Sequence, residues 1–211
     1  MLKIRRGFLV ILFALGLAWI VTGCVQQDIQ NVDSRGKGIV CFGDSLTFGY
    51  GAEPGEDYPS NLAKMVCVPV LNAGIDGETT TEALRRLEAD VLERQPFLVI
   101  VEYGGNDFLR KIPRQTTVKN LEEMIRRIQA KGAMVALVDV SAGMFLRDYR
   151  IAYRSLARKY GAVFVPSILD KIITDPKMKS DFLHPNAAGY AVIARRVYQA
   201  VAPYIQKDRR N

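Results

Sequence analysis

The chain has 211 residues and a formal net charge of +7, from 29 Lys and Arg against 22 Asp and Glu, with 49% hydrophobic residues, three cysteines and a single histidine. That basic excess is too mild to argue for nucleic acid, and one histidine with so few cysteines gives no metal-ligand spacing, so neither a nucleic-acid partner nor a zinc site is expected. No cofactor is expected either, since the glycine-rich stretch from Gly43 to Gly51 contains neither Gly-Lys-Ser/Thr nor G-x-G-x-x-G, which sets aside a nucleotide-binding domain.

In chain order, Lys3, Arg5 and Arg6 precede an apolar run from Phe8 to Val21 and a cleavage-like Val21-Thr22-Gly23-Cys24, which together read as a secretory signal over residues 1–23. The run is shorter than the roughly 20 residues of a membrane-spanning helix, and an uncleaved anchor is the second reading. The Val-Thr-Gly-Cys ending resembles the lipobox of bacterial lipoproteins, which implies a lipid on Cys24 and a membrane partner. Loss of residues 1–23 removes Lys3, Arg5 and Arg6 and no acid, leaving 188 of the 211 residues at +4 instead of +7. Residues 24–37 are polar without an apolar period and are expected to form a tether. The folded domain is expected over residues 38–206. Val25 follows the cysteine where an inner-membrane retention signal would carry aspartate, so the expected place is the cell envelope, facing the periplasm or the outside, at an outer membrane where one exists.

Within the domain, Gly38-Ile39-Val40-Cys41-Phe42 reads as a buried strand that ends in the turn Gly43-Asp44-Ser45-Leu46. A helix follows over Asp57 to Val66, then a strand over Val68 to Leu71 that Pro69 marks as an edge or a strand start. Thr79 to Arg94 is an amphipathic helix with a threonine cap, and Phe97 to Val101 has the continuous apolar character of a central parallel strand. Thr116 to Ala130 is helical and stops at Gly132; Met134 to Val138 is a strand, Arg147 to Tyr160 a helix and Ala162 to Val165 a fifth strand. A turn-rich segment leads to a last helix over Ala187 to Ile205. This alternation predicts an α/β domain, a parallel sheet with helices on both faces. Cys41 and Cys67 fall in apolar segments and are expected as buried free thiols, although an oxidising compartment would permit a bridge.

Three loops then meet at the carboxyl edge of the sheet, where ligands bind in open α/β folds. Ser45 ends the first strand. His184, the one histidine, precedes Pro185 and so stands outside any helix. Asp181, three residues earlier, is close enough in a tight turn to hold the imidazole tautomer while the other ring nitrogen takes a proton from Ser45. Oxyanion donors are available from the Ser45 N–H, a backbone N–H in the Gly74 to Gly77 turn and the Asn106 side chain. Each residue alone has a plainer explanation, as an N-cap, a surface histidine or a turn glycine. Taken together they favour a serine hydrolase over a binding protein that turns nothing over.

The four blocks Gly43-Asp44-Ser45-Leu46, Asn72-Ala73-Gly74-Ile75-Asp76-Gly77-Glu78-Thr79, Gly104-Gly105-Asn106-Asp107 and Asp181-Phe182-Leu183-His184-Pro185-Asn186, in that order, resemble those of the SGNH (GDSL) hydrolases, over roughly Ile39 to Ile205. The resemblance implies a flavodoxin-like three-layer α/β/α sandwich on a five-stranded parallel sheet, with Ser45 as nucleophile, His184 as base and Asp181 as its partner. It implies oxyanion donors at Ser45, Gly77 and Asn106, Gly77 being the glycine five residues after Asn72. Asn72 to Thr79, Leu84 to Leu87 and Val101 to Asp107 look most like the periplasmic thioesterase, arylesterase and lysophospholipase branch, which implies acyl esters or thioesters as substrates, with short-acyl or aryl esters and lysophospholipids foremost. Removal of acetyl groups from cell-envelope or polysaccharide sugars is the alternative. The connection from Val140 to Arg147 is shorter than in that branch, where it helps line the acyl groove, and this argues against long-chain lipids.

Overall fold

The computed structural model describes residues 27–141 and 146–205. The signal segment, Cys24 and the basic carboxyl-terminal tail lie outside those residues. Among the described residues no helix is long and apolar enough to cross a membrane.

Five parallel strands form one sheet: β1 (Ile39–Gly43), β2 (Val70–Gly74), β3 (Leu98–Glu102), β4 (Met134–Val138) and β5 (Val163–Val165), in the order β2-β1-β3-β4-β5. This is the flavodoxin-like order, and the direction in which successive strands are laid across the sheet reverses between β1 and β3. Side chains alternate across the sheet because successive strand residues point to opposite faces. Ile39, Cys41, Leu98, Ile100, Met134 and Ala136 face α2 (Tyr58–Ala63) and α7 (Ala187–Ile205), with Tyr58, Leu62, Tyr190, Ile193 and Val197 closing that side. Val40, Phe42, Val99, Val101, Val135 and Leu137 face the opposite layer, packed by Leu87 of α3 (Thr80–Asp90), Leu121 and Ile125 of α5 (Arg114–Ala130) and Tyr153 of α6 (Arg147–Lys159). Burial on both faces is why the central strands read as unbroken apolar runs. Two short helices, α1 (Ser45–Phe48) and α4 (Gly105–Leu109), open directly from the ends of β1 and β3.

Three expectations change. The second strand starts at Val70, after Pro69, and runs on to Gly74; Pro69 has no N–H to give the ladder, although its carbonyl accepts from the Ile39 N–H at 2.9 Å. Cys67 is exposed, because it lies in the turn between α2 and β2; Cys41 is buried, and both are free thiols. Residues 27–37, expected as tether, lie on the domain: Gln27, Gln30 and Asn31 hydrogen-bond to the loops that enter β4 and β5, and Ile29 and Val32 pack against the core.

Candidate active site

Ser45 is the first residue of α1, and its position is set by what precedes it. A Cβ on Gly43 would come within 2.0 Å of Thr47 Oγ1 and 2.6 Å of the Glu102 carbonyl oxygen, so β1 can turn this tightly into α1 only with glycine there. Asp44 caps the helix, its Oδ1 accepting from the Leu46 N–H at 3.1 Å. As an N1 residue, Ser45 has an N–H without an intrahelical acceptor. It donates to no other described residue.

His184 reaches Ser45 from the loop before α7. Its Nε2 lies 3.1 Å from Ser45 Oγ and its Nδ1 2.8 Å from Asp181 Oδ2. Asp181 also fixes the loop, since its Oδ1 accepts from the Leu183 and His184 N–H groups at 2.7 and 2.8 Å. Partial burial opposes ionisation of Asp181, but the imidazole and these two backbone donors outweigh it and hold the carboxyl below its ordinary value. The three residues therefore form a continuous hydrogen-bonded line. Tyr50 adds a contact the sequence did not mark: its ring lies 4.5 Å from the imidazole, centroid to centroid, at 44°.

The oxyanion candidates come from the neighbouring loops. Asn106 lines the same groove as Ser45 and His184 and donates from Nδ2 to Asp44 Oδ2 and to the Glu78 carbonyl, both at 3.1 Å. Gly77 has φ +72, which favours glycine, and its N–H donates to no other described residue. It stands just outside the groove lining, into which its neighbour Asp76 projects. Arg110 Nη2 holds the Gly77 carbonyl at 2.6 Å. Asp107 ties the loops together by accepting from the Thr80 N–H at 2.9 Å.

Behind Ser45 lies a pair of buried carboxyls that no spacing along the chain marks. Glu102, at the end of β3, is fully buried; its Oε2 accepts from Thr47 Oγ1 at 2.8 Å, and its Oε1 has no hydrogen-bond partner among the described residues. Burial, then the charge of Asp44, pushes the Glu102 carboxyl well above the ordinary range, and burial raises Asp44 as well. Raised in this way, Glu102 stays protonated where an exposed glutamate is ionised. The available signal was a glutamate closing an otherwise apolar strand.

The groove beside Ser45 has a volume of about 170 Å³ and is mainly apolar, with Leu46, Phe108, Leu109, Val140, Leu169 and Ile173 in its walls. Val140 and Leu146 are its contributions from the connection that the sequence singled out, and residues 142–145 of that connection lie outside the described residues.

A family model described as the GDSL-like lipase/acylhydrolase family matches residues 41–192. The thioesterase 1/protease 1/lysophospholipase L1 of Escherichia coli K12 is 29% identical over 178 residues, which cover 81% of this chain and 86% of that one. The arylesterase of Vibrio mimicus is 32% identical over 178 residues, covering 79% of this chain and 89% of its own. Among solved structures, that of TesA matches with a TM-score of 0.74 at 27% identity, over 79% of this chain and 99% of that chain.

Proposed function

The chain is a carboxylic ester hydrolase that belongs to the GDSL-like lipase/acylhydrolase family, and from that premise we propose that it works through an acyl-enzyme on Ser45. The observation that carries this reading is the hydrogen-bonded line Ser45, His184, Asp181, with separations of 3.1 and 2.8 Å. A serine hydroxyl is a weak nucleophile until a base takes its proton. His184 Nε2 takes it as Oγ bonds to the substrate carbonyl carbon, and Asp181 steadies the imidazolium that results. The carbonyl oxygen, now negative, is met by the N–H groups of Ser45 and Gly77. The Asn106 amide, steadied by Asp44 through one hydrogen, turns the other from the Glu78 carbonyl to the oxyanion. His184 then gives its proton to the leaving alcohol or thiol, the bond to it breaks, and water repeats the sequence to release the acid.

The substrates we propose are acyl esters and thioesters with short acyl or aryl groups. At about 170 Å³ the groove is smaller than the roughly 300–1,000 Å³ of sites for drug-sized ligands. Its size also suits an acetyl group, which supports de-acetylation of envelope or polysaccharide sugars as the second reading. We place the protein in the cell envelope, held by a lipid on Cys24.

Hydrolysis of p-nitrophenyl esters from acetate to palmitate tests this directly, with Ser45→Ala and His184→Ala beside the parent. The expected outcome is a maximum at short chains and a fall of at least about a thousandfold in kcat in either variant. Turnover that survives Ser45→Ala would rule out the acyl-enzyme.

A further inference from the structure

The first described residues are fastened at the end of the domain opposite Ser45. Gln27 Nε2 donates to the carbonyls of Ala157 at 2.8 Å and Ala162 at 3.1 Å, and the Gln30 N–H to the Gly161 carbonyl at 2.8 Å. Asn31 Nδ2 donates to the carbonyls of Gln129 at 2.9 Å and Ala133 at 3.0 Å. All five acceptors lie at the carboxyl ends of α5 and α6 or in the turns entering β4 and β5, which is the amino edge of the sheet. Ser45 and Asn106, in contrast, follow the carboxyl ends of β1 and β3. The fit at Gly161 is close, since a Cβ there would come within 2.7 Å of the Asp28 carbonyl oxygen.

Cys24 stands only three residues before Gln27. Three fully extended residues reach at most about 11 Å. A five-residue strand such as β1 is alone about 17 Å long, so a lipid on Cys24 cannot pass round to the catalytic edge while Gln27 stays docked. We propose that the anchored chain rests with the amino edge of its sheet against the lipid surface and its catalytic groove opening away from it. This rests on the reading of Cys24 as lipidated. The other end of the chain agrees with it: α7 starts beside His184, and its 19 residues carry the backbone about 28 Å along the sheet toward the same edge. Lys207, Arg209 and Arg210 follow in the sequence, a charge suited to anionic headgroups. Substrates then reach Ser45 from the aqueous side, as soluble short-acyl or aryl esters or as acyl groups on envelope polymers. Lipids of the anchoring leaflet face the wrong end.

The test uses the full chain, processed in bacterial cells fed labelled palmitate and reconstituted into vesicles that contain a headgroup-quencher lipid. In a Cys67→Ser background, which leaves Cys41 buried, one dye is attached at Arg35→Cys on the amino edge and another at Glu53→Cys, in the loop beside the start of α7. The expected result is palmitate label that Cys24→Ala abolishes, strong quenching at position 35 and little at 53. Releasing the segment with Gln27→Ala and Asn31→Ala together should shrink that difference. Equal quenching at both positions, or more at 53, overturns the orientation while leaving the lipid on Cys24 in place. Absence of palmitate label removes the anchor and this proposal with it, and leaves the Ser45 chemistry, read separately from ester turnover, untouched.

Discussion

The two buried carboxyls behind Ser45 form no ion pair with a described lysine or arginine; Asp44 leans on the Leu46 N–H and Asn106, and Glu102 on Thr47. The groups around them are Tyr58 of α2, Tyr153 of α6, Tyr190 of α7, Asp107 and His184, and burial raises all three tyrosines, keeping them neutral. Glu102 thus keeps its proton in the folded chain at a pH where an unfolded glutamate has lost it. Such a group contributes stability below the unfolded value of about 4.3, and that contribution is lost as pH rises toward the folded value. Glu102→Gln keeps the neutral, donating form at every pH, so its melting temperature should gain on the parent as pH is raised from about 4 to about 8. Its kcat should stay within about tenfold, because an amide can still accept from Thr47 and leave Asp44 and Asn106 in place. A flat melting difference across that range would mean that Glu102 ionises like an exposed acid. At Tyr50, loss of the ring contact to His184 in Tyr50→Ala should lower kcat about two- to tenfold, as expected of an aromatic contact of roughly 0.5–1.5 kcal/mol, with Tyr50→Phe unchanged.

The loop between β2 and α3, which carries Gly77, is held by one ion pair with several partners. Arg86 donates to Glu78 at 2.7 Å, to the Ala73 carbonyl at 2.9 Å and to Tyr103 Oη at 2.8 Å, with only 15% of its side chain exposed and 7% of that of Glu78. Removing one partner of a largely buried pair costs about 3–5 kcal/mol, because the other charge is left stranded. Arg86→Met should therefore lower the urea midpoint strongly, and kcat should fall more than KM rises, since the Glu78 carbonyl also receives Asn106. A loss of stability with unchanged kcat would assign Arg86 to the fold alone. Elements of this kind were unevenly legible in the sequence. The runs Leu98 to Val101 and Met134 to Val138 announced themselves because both faces are buried, and Thr79 because a capping box with Glu82 is a local pattern. The end of β2 did not, because Asn72 to Gly74 are polar or small on an exposed edge and pair by backbone alone. Arg86 and Glu102 were hidden for a related reason: their partners come from other elements, and no spacing along the chain records them.

At the scale of the whole molecule, the strand order does most of the functional work. Placing β1 between β2 and β3 brings the turns after all three strands to one edge, so three of the four blocks were bound to converge once the parallel sheet was granted. His184 joins them because α7 must begin at that same edge to pack back along the sheet. The docking of residues 27–37 had no such logic. Its bonds come from the amides of Gln27 and Asn31 to carbonyls 98 to 135 residues away, and a polar segment of this composition reads as tether. The same remoteness separates its two consequences, stability and catalysis. A chain beginning at Gly38 loses the half-buried Ile29 and Val32 and the bonds of Gln27, Gln30 and Asn31. Partial burial of two such side chains and several hydrogen bonds should together be worth about 3 kcal/mol. Urea unfolding of this form beside one beginning at Gln27 should show that loss, while kcat/KM on a soluble ester stays the same within about twofold, because the segment lies a full strand length of about 17 Å from Ser45. If the shortened chain kept its stability, the segment would be resting on the domain without bracing it. It could then swing free, and a lipid on Cys24 would no longer dictate which way the groove faces.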